Sequence, residues 1–467
     1  MNRNNFLPHV ALALVLLLVA AFAGQLRRWQ HQWKHAVHIM PATEKTRDAA
    51  NGAEMATGEP RQFGDAEVLV KFKPGISTER IEQITSELND RVEDTIESVP
   101  GLEAIDDLDD ANAEAVAAQY RGLPTVEYAE PNYEINLDDA GLNPILPKDP
   151  RFTEQWALAN DGQQGGTQGA DISATLAWTV TTGNDKVVVA VLDSGVDYTH
   201  EDLAANMWVR PASVDPYEDS DLGTINDLHG YNALENNADP MDENGHGTHC
   251  AGIIGAEGGN DLGIAGVNWK VQIMPLKFMN AGGFGTTKDA VEAINYVIDR
   301  KRAGVNVRVI SASWGSTQRS RALEDVIRKA YEEGILFVAA SGNASTDNDR
   351  SPHYPSSYHN VLSVAALDRN DQLASFSNFG VKSVQIAAPG KDILSTWLEN
   401  NYEEHSGTSM ATPVVAGVAA LVIANEPRIS VGDLQKKLLA SVDKLDSLKG
   451  KVASGGRINA AKAVGAE

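Results

Sequence analysis

From about Asp149 onward, short apolar runs alternate with segments of helical spacing. Val187–Leu192 (VVVAVL), Gln272–Met274, Val307–Ser311 and Leu336–Ala340 read as strands, apolar or nearly so throughout. Between them, Lys288–Asp299 sets Ala290, Val291, Ile294, Val297 and Ile298 on one side of a helix. A strand that is apolar throughout needs cover on both faces. Such strands separated by helices predict a parallel α/β sheet with helices on both sides. In that architecture ligand chemistry gathers at the carboxyl edge of the sheet.

The segment before it has a different texture. Glu67–Lys73 (EVLVKFK) alternates like a half-buried strand and stops at Pro74-Gly75, and Ser77–Leu88 puts Ile81, Ile84 and Leu88 at helical spacing. A second helix is expected over Ala111–Tyr120 and a closing strand over Val126–Ile135. A β-α-β-α-β order over residues 64–138 predicts a small α+β unit of the ferredoxin-like, split-βαβ type. Residues 24–63 lack periodicity and read as linker. A Pro/Gly/Asn-rich bridge after Asp138 and Asp139 leads to Pro150. The larger α/β domain then spans 139–467.

Residues 1–23 read as a leader. Arg3 precedes an apolar run, Val10–Ala23, that closes on Ala21-Phe22-Ala23, the pattern of a cleaved secretory signal. The run is shorter than the roughly 20 residues that span a bilayer, although Arg27 and Arg28 would also suit an uncleaved anchor. The expectation is a secreted, extracellular or periplasmic protein, with membrane anchoring second. The 467 residues carry a net charge of −25 with a pI near 4.8, which argues against nucleic acid as a partner. The charge is densest in residues 64–138, with 19 acidic and five basic side chains. A single cysteine, Cys250, excludes an intrachain disulfide and a Cys-rich zinc module.

Three segments carry chemistry. Val191-Leu192-Asp193-Ser194-Gly195 ends an apolar strand in a carboxylate, Asn244-Gly245-His246-Gly247-Thr248-His249-Cys250 leads into a helix, and Gly407-Thr408-Ser409-Met410-Ala411-Thr412-Pro413 opens another. Each alone is weak: an Asp after a strand is usually a turn residue, and Gly-x-Ser is common. His246 and His249 lack the glutamate of a HExxH zinc site. Together, in the order Asp193, His246, Ser409, they form a nucleophile, a base and an orienting carboxylate. A serine hydroxyl needs a base to take its proton, and that base needs a carboxylate to hold one tautomer. This chain order is that of subtilisin rather than of chymotrypsin or the α/β-hydrolases.

DSGVDYTHEDL, NGHGTHCAG and GTSMATPVVAG make the resemblance specific. From about Asp149 to Val464 the chain resembles the subtilisin-like serine proteases (subtilases) of the thermitase and proteinase K type. The resemblance implies a serine endopeptidase acting on polypeptides as a monomer, with Asp193 orienting, His246 as general base and Ser409 as nucleophile. It makes Asn343, in Ala340-Ser341-Gly342-Asn343, the oxyanion donor. It assigns substrate contacts to Ser313-Trp314-Gly315, to Gly283 and Gly285 opposite, to Ser341 and Gly342, and to His353 at the base of the primary pocket. There His353 would make the pocket shallower or more polar. It implies a structural Ca²⁺ held by Asp149, Asp202 and the Asn260 side chain, with carbonyls of Gly258, Leu262 and Ile264; a second site near Asp239 and Asp242 is a further expectation. EVLVKFKPG and VEYAEPNYEI resemble an N-terminal propeptide that chaperones folding and inhibits the site. Cys250 is expected as a buried free thiol near His246. Two other readings are a silent binding relative, disfavoured by the intact motifs, and a membrane-tethered processing protease.

Overall fold

The computed structural model describes residues 68–108, 112–133 and 143–466. The leader and linker read in residues 1–63 lie outside the described residues, as do both ends of the expected propeptide. The chain divides into two compact units, Met1–Asp138 and Asp139–Glu467.

The first unit runs β1 (Val68–Phe72), α1 (Thr78–Glu87), β2 (Asp90–Thr95), β3 (Leu102–Asp107), α2 (Ala113–Arg121) and β4 (Val126–Pro131). The strands form one antiparallel sheet in the order β2-β3-β1-β4. Alternation in β1 buries Val68, Val70 and Phe72 on one face. Ile81 and Ile84 of α1 and Val116, Ala117 and Tyr120 of α2 complete the core over that face. The middle of the unit holds two strands where the periodicity suggested one. In β2 only Asp90 is buried, so no apolar alternation marks it. As an edge strand it needs no buried stripe, and its charges discourage pairing with another chain.

The second unit is built on a nine-stranded sheet. In chain order the elements that position the site are β5 (Gly183–Asp193), β6 (Tyr231–Asn232), α3 (His246–Gly255), β7 (Lys270–Lys277), α4 (Thr287–Arg302), β8 (Val307–Ala312), α5 (Arg321–Glu332), β9 (Leu336–Ala340), β10 (Val361–Leu367) and β11 (Ile386–Pro389). A hairpin follows, β12 (Ile393–Trp397) and β13 (Asn401–His405), then α6 (Thr408–Asn425), α7 (Val431–Ala440), β14 (Val442–Lys444) and β15 (Gly456–Ile458). The sheet order is β14-β15-β11-β10-β9-β8-β5-β7-β6, parallel throughout except for the β14–β15 pair. From β5 the chain builds first toward β7 and then returns to the other side as β8. That reversal opens a crevice at the carboxyl ends of β5 and β8, where such sheets place their ligands.

Core packing explains the apolar strands: Val188–Leu192, Val309–Ile310 and Leu336–Ala339 are buried on both faces. Helix α6 is apolar all round because it lies inside the fold, touching β5, β8, β9, β10 and β11. Helix α3 packs on α6 and on β12. Gly252 permits that second contact, since a Cβ there would overlap the hydroxyls of Thr396 and Ser395. Those hydroxyls donate to the carbonyls of Thr248 and His249 at 2.8 and 2.7 Å. The hairpin thereby grips the first turn of α3.

Candidate active site

Asp193 ends β5 and His246 begins α3, and the two meet because glycines remove the intervening side chains. A Cβ on Gly247 would overlap the Gly195 carbonyl oxygen, and Gly195 itself turns at φ +106°. The Asp193 carboxylate, 1% exposed, accepts from His246 Nδ1 at 2.7 Å and from the Ser194 N–H at 2.8 Å. With Nδ1 donating, the neutral ring carries its lone pair on Nε2. Asp242 holds the start of the helix by accepting from the N–H and hydroxyl of Thr248 at 3.0 and 2.7 Å. Burial works against the imidazolium of His246, but the charge and hydrogen bond of Asp193, with Asp242 behind, outweigh it and raise the ring above its ordinary value.

Ser409 stands in the first turn of α6, and Pro413 shapes its surroundings. Proline has no N–H to give the carbonyl four residues earlier, which is that of Ser409. This carbonyl instead accepts from the Ser313 hydroxyl at 2.8 Å and from the Cys250 thiol at 3.6 Å. The Ser409 hydroxyl donates to the Ser313 carbonyl at 3.0 Å, so in this state its proton is engaged there. Asn343 follows β9, and its Oδ1 accepts from the Thr408 N–H and hydroxyl at 2.8 and 2.9 Å. Its amide nitrogen is thereby turned toward Gly407, 3.4 Å from where a Cβ would stand. Asn343 Nδ2 and the Ser409 N–H, both beside Gly407, have no acceptor among the described residues.

Cys250 is a buried free thiol. Its sulfur and the ligating atoms of Asp193 and His246 lie within 4.8 Å of one another. Burial pushes the thiol well above its ordinary range, which keeps it protonated and a poor nucleophile. His249 is also held uncharged, pushed down to about 3 by burial with His405 as the next cause.

Two of the expected substrate segments lie beside Ser409 and Thr408. Ser313-Trp314-Gly315 leaves β8, with Trp314 Nε1 donating to the Leu192 carbonyl at 2.9 Å. Ser341 and Gly342 leave β9, and the Gly342 N–H donates to the Thr408 hydroxyl at 3.2 Å. Gly283 and Gly285 shape an exposed turn, where a Cβ on Gly285 would overlap the Phe278 carbonyl oxygen. The His353 ring lies between the other two segments. A Cβ on Gly315 would overlap its Cε1, and one on Gly342 would stand 3.1 Å from its Cδ2. Ser356 donates its hydroxyl to the His353 carbonyl at 2.8 Å, which leaves its oxygen to accept from Nδ1 at 3.2 Å. Burial lowers the ring's pKa; a neutral ring then turns its Nε2 lone pair to the gap between the segments.

Away from the crevice, Asp149 and Asp202 are buried together at the loop after α3. Asp149 accepts from the Gly259 N–H at 2.6 Å, and its second oxygen is buried without a partner. Asp202 accepts from Asn260 Nδ2 at 2.8 Å, the Ile264 N–H at 3.0 Å and the Tyr402 hydroxyl at 3.1 Å. Burial raises both carboxyl pKa values, and the charge of Asp202 adds to the rise at Asp149. The carbonyls of Gly258, Leu262 and Ile264 accept no hydrogen bond from a described residue. A cation would suit this oxygen-lined, uncompensated pair. Asp239 and Asp242 are instead engaged with backbone N–H groups of Met241, Asn244 and Thr248. Two supporting residues escaped the sequence reading: Thr408, inside GTSM, and Tyr402, whose partner is 200 residues away.

Residues 184–456 match the Subtilase family (Peptidase S8), and residues 49–132 match the fervidolysin N-terminal prodomain. The chain is 34% identical over 414 residues to the thermophilic serine proteinase of Bacillus sp. (strain AK1), spanning 87% of this chain and 89% of that protein. It is 35% identical over 318 residues to thermitase of Thermoactinomyces vulgaris, spanning 68% of this chain and 99% of that protein. A solved protease structure from Pseudoalteromonas arctica PAMC 21717 is similar with a TM-score of 0.56 and 28% identity, over 68% of this chain and 99% of that one. The chain belongs to the subtilase family of serine endopeptidases, with a fervidolysin-like prodomain ahead of its peptidase domain.

Proposed function

We propose that the protein is a secreted subtilase that cuts peptide bonds through an acyl-enzyme on Ser409, with His246 as general base and acid and Asp193 as its orienting partner. The observation that carries this reading is the 2.7 Å Asp193–His246 bond beside a serine whose own N–H, like Asn343 Nδ2, has no acceptor among the described residues. Rotation of the Ser409 side chain away from the Ser313 carbonyl would present its hydroxyl to Nε2. His246 takes the proton as Oγ attacks the substrate carbonyl. The oxyanion then accepts from the Ser409 N–H and Asn343 Nδ2, each such donor contributing about 2.7–4 kcal/mol to the transition state. The imidazolium returns the proton to the leaving amine, and water repeats the cycle on the ester. The leader directs the chain out of the cytoplasm. The prodomain acts as an intramolecular inhibitor until it is cut off, between Leu137 and Asp149.

Self-cleavage tests the nucleophile. Wild-type chain should lose its first 137 to 149 residues, whereas Ser409→Ala should accumulate full length on a gel. Unaided maturation of Ser409→Ala would rule out Ser409.

The base should be visible in the pH profile. Only neutral His246 accepts the serine proton, and its pKa is raised. The acid limb of kcat/KM should therefore have its midpoint above the free imidazole value of about 6.5. A midpoint clearly below that value would contradict the role of Asp193.

Asp149, Asp202, Asn260 and the carbonyls of Gly258, Leu262 and Ile264 are proposed to hold a structural Ca²⁺, which favours six to eight oxygens at about 2.3–2.6 Å. The ion would neutralise two buried carboxylates and stabilise the folded state by mass action, roughly 2.7 kcal/mol at 100 times Kd. EDTA should lower the Tm and speed autolysis with initial activity retained, and Asp202→Ala should reproduce this and abolish further response to EDTA. Equal Tm with and without chelator would exclude the site.

His353 narrows the substrate class to chains with a small residue before the cut. A side chain entering beside Ser409, between Ser313–Gly315 and Ser341–Asn343, meets the imidazole. His353→Gly should raise kcat/KM for Phe over Ala at that position by about 10-fold or more, within the range that hydrophobic pockets discriminate. An unchanged Phe/Ala ratio in a peptide-library assay would place the pocket elsewhere.

A further inference from the structure

Lys277 is a buried ammonium that takes no part in the steps above. It closes β7 directly opposite Asp193 in the β5–β7 pairing, and its side chain is 3% exposed. Nζ donates to the carbonyls of Ser194 at 3.1 Å and Met241 at 3.0 Å, and reaches the Glu243 carboxylate at 3.3 Å. An ammonium has three donor hydrogens, and all three are used here. The acceptors belong to two separate segments. Ser194 follows Asp193, whereas Met241 and Glu243 lie in the loop that runs into His246. An apolar side chain of equal length would fill the same space without desolvating a charge, but it would leave two carbonyls bare and the segments unjoined.

The charge is as specific as the geometry. The two segments carry Asp193, Asp197, Asp239, Asp242 and Glu243. Among the described residues, Lys277 is the only lysine or arginine paired with any of them. The groups facing His246 are the carboxyl groups of Asp193 and Asp242, which raise its pKa, the uncharged His249, and the protonated Cys250.

We infer that Lys277 is a positioning residue for the Asp193–His246 pair, tying the strand end that bears the carboxylate to the loop that delivers the imidazole. This rests on the catalytic reading proposed above. Loss of the tie lets the carboxylate and ring drift, and a displacement near 1 Å can cost about 100-fold in rate. Loss of the cation also leaves the nearby carboxylates unopposed, which favours the imidazolium and moves the acid limb toward higher pH.

The test compares wild type, Lys277→Met and Lys277→Arg, each expressed as the full chain and allowed to mature. Active sites are counted by covalent titration with a fluorophosphonate, and kcat, KM, the acid-limb midpoint and Tm are measured per counted site. For Lys277→Met the expected result is kcat lower by about 10–100-fold, KM within about two-fold, and an acid limb displaced upward. Lys277→Arg keeps the charge and should retain the wild-type midpoint with part of the lost kcat restored. A residue that serves folding alone would lower Tm and the number of titratable sites, while kcat per site and midpoint stayed at wild-type values; that outcome overturns the inference. Should Lys277→Met yield no titratable sites, Lys277→Arg decides: reduced kcat per site at constant KM supports positioning, and wild-type kcat per site refutes it. A wild-type chain without titratable sites would count instead against the catalytic reading.

Discussion

The close approach of the end of β5 to the start of α3 is the constraint on which the rest of this structure depends. A carboxylate 1% exposed can hold an imidazole at 2.7 Å only if the two backbones nearly touch. Gly247 against Gly195 allows that contact. The pairing then has to be maintained against the cost of burying charge, which is large unless partners are supplied. The Ser194 N–H and His246 supply Asp193, and Thr248 and Asn244 supply Asp242.

Supports converge on that contact from several elements. The β12–β13 hairpin grips the first turn of α3 through the hydroxyls of Ser395 and Thr396. Trp397 lies against Gly245, immediately before His246, and stacks on His405 with ring centroids 4.5 Å apart. The same hairpin carries Tyr402, whose hydroxyl binds Asp202 in the oxygen-lined loop. One hairpin therefore contacts the residues on either side of His246, leads directly into the Ser409 helix, and contacts the loop proposed for calcium. A cation held at Asp202, as proposed, would therefore act through this support rather than at Ser409 or His246 directly.

The surroundings of Ser409 are shaped by an interruption in helical bonding. Pro413 leaves the Ser409 carbonyl without its usual donor, and Ser313 and Cys250 take that place. The single cysteine thus acts as a weak hydrogen-bond donor, while burial keeps its thiol protonated. Thr408 fixes the orientation of Asn343, so the amide nitrogen faces the serine without having to be selected when substrate arrives.

The sequence alone determined the parallel α/β architecture, because strands buried on both faces must be apolar throughout and the intervening helices must show a 3.6-residue stripe. It also singled out Asp193, His246, Ser409 and Asn343 as the candidate site residues, since their motifs are local and each lies where an element ends or begins. It left β2 unread, because an edge strand with one buried residue has no alternation to detect. Tertiary structure decided what depends on residues far apart in the chain. The ammonium of Lys277 joins segments 83 and 36 residues away. Tyr402 reaches Asp202 across 200 residues, and the His353 ring bridges two loops that leave different strands. Such contacts arise from the order in which strands enter the sheet, and periodicity, which records only which face of an element is buried, carries no trace of that order.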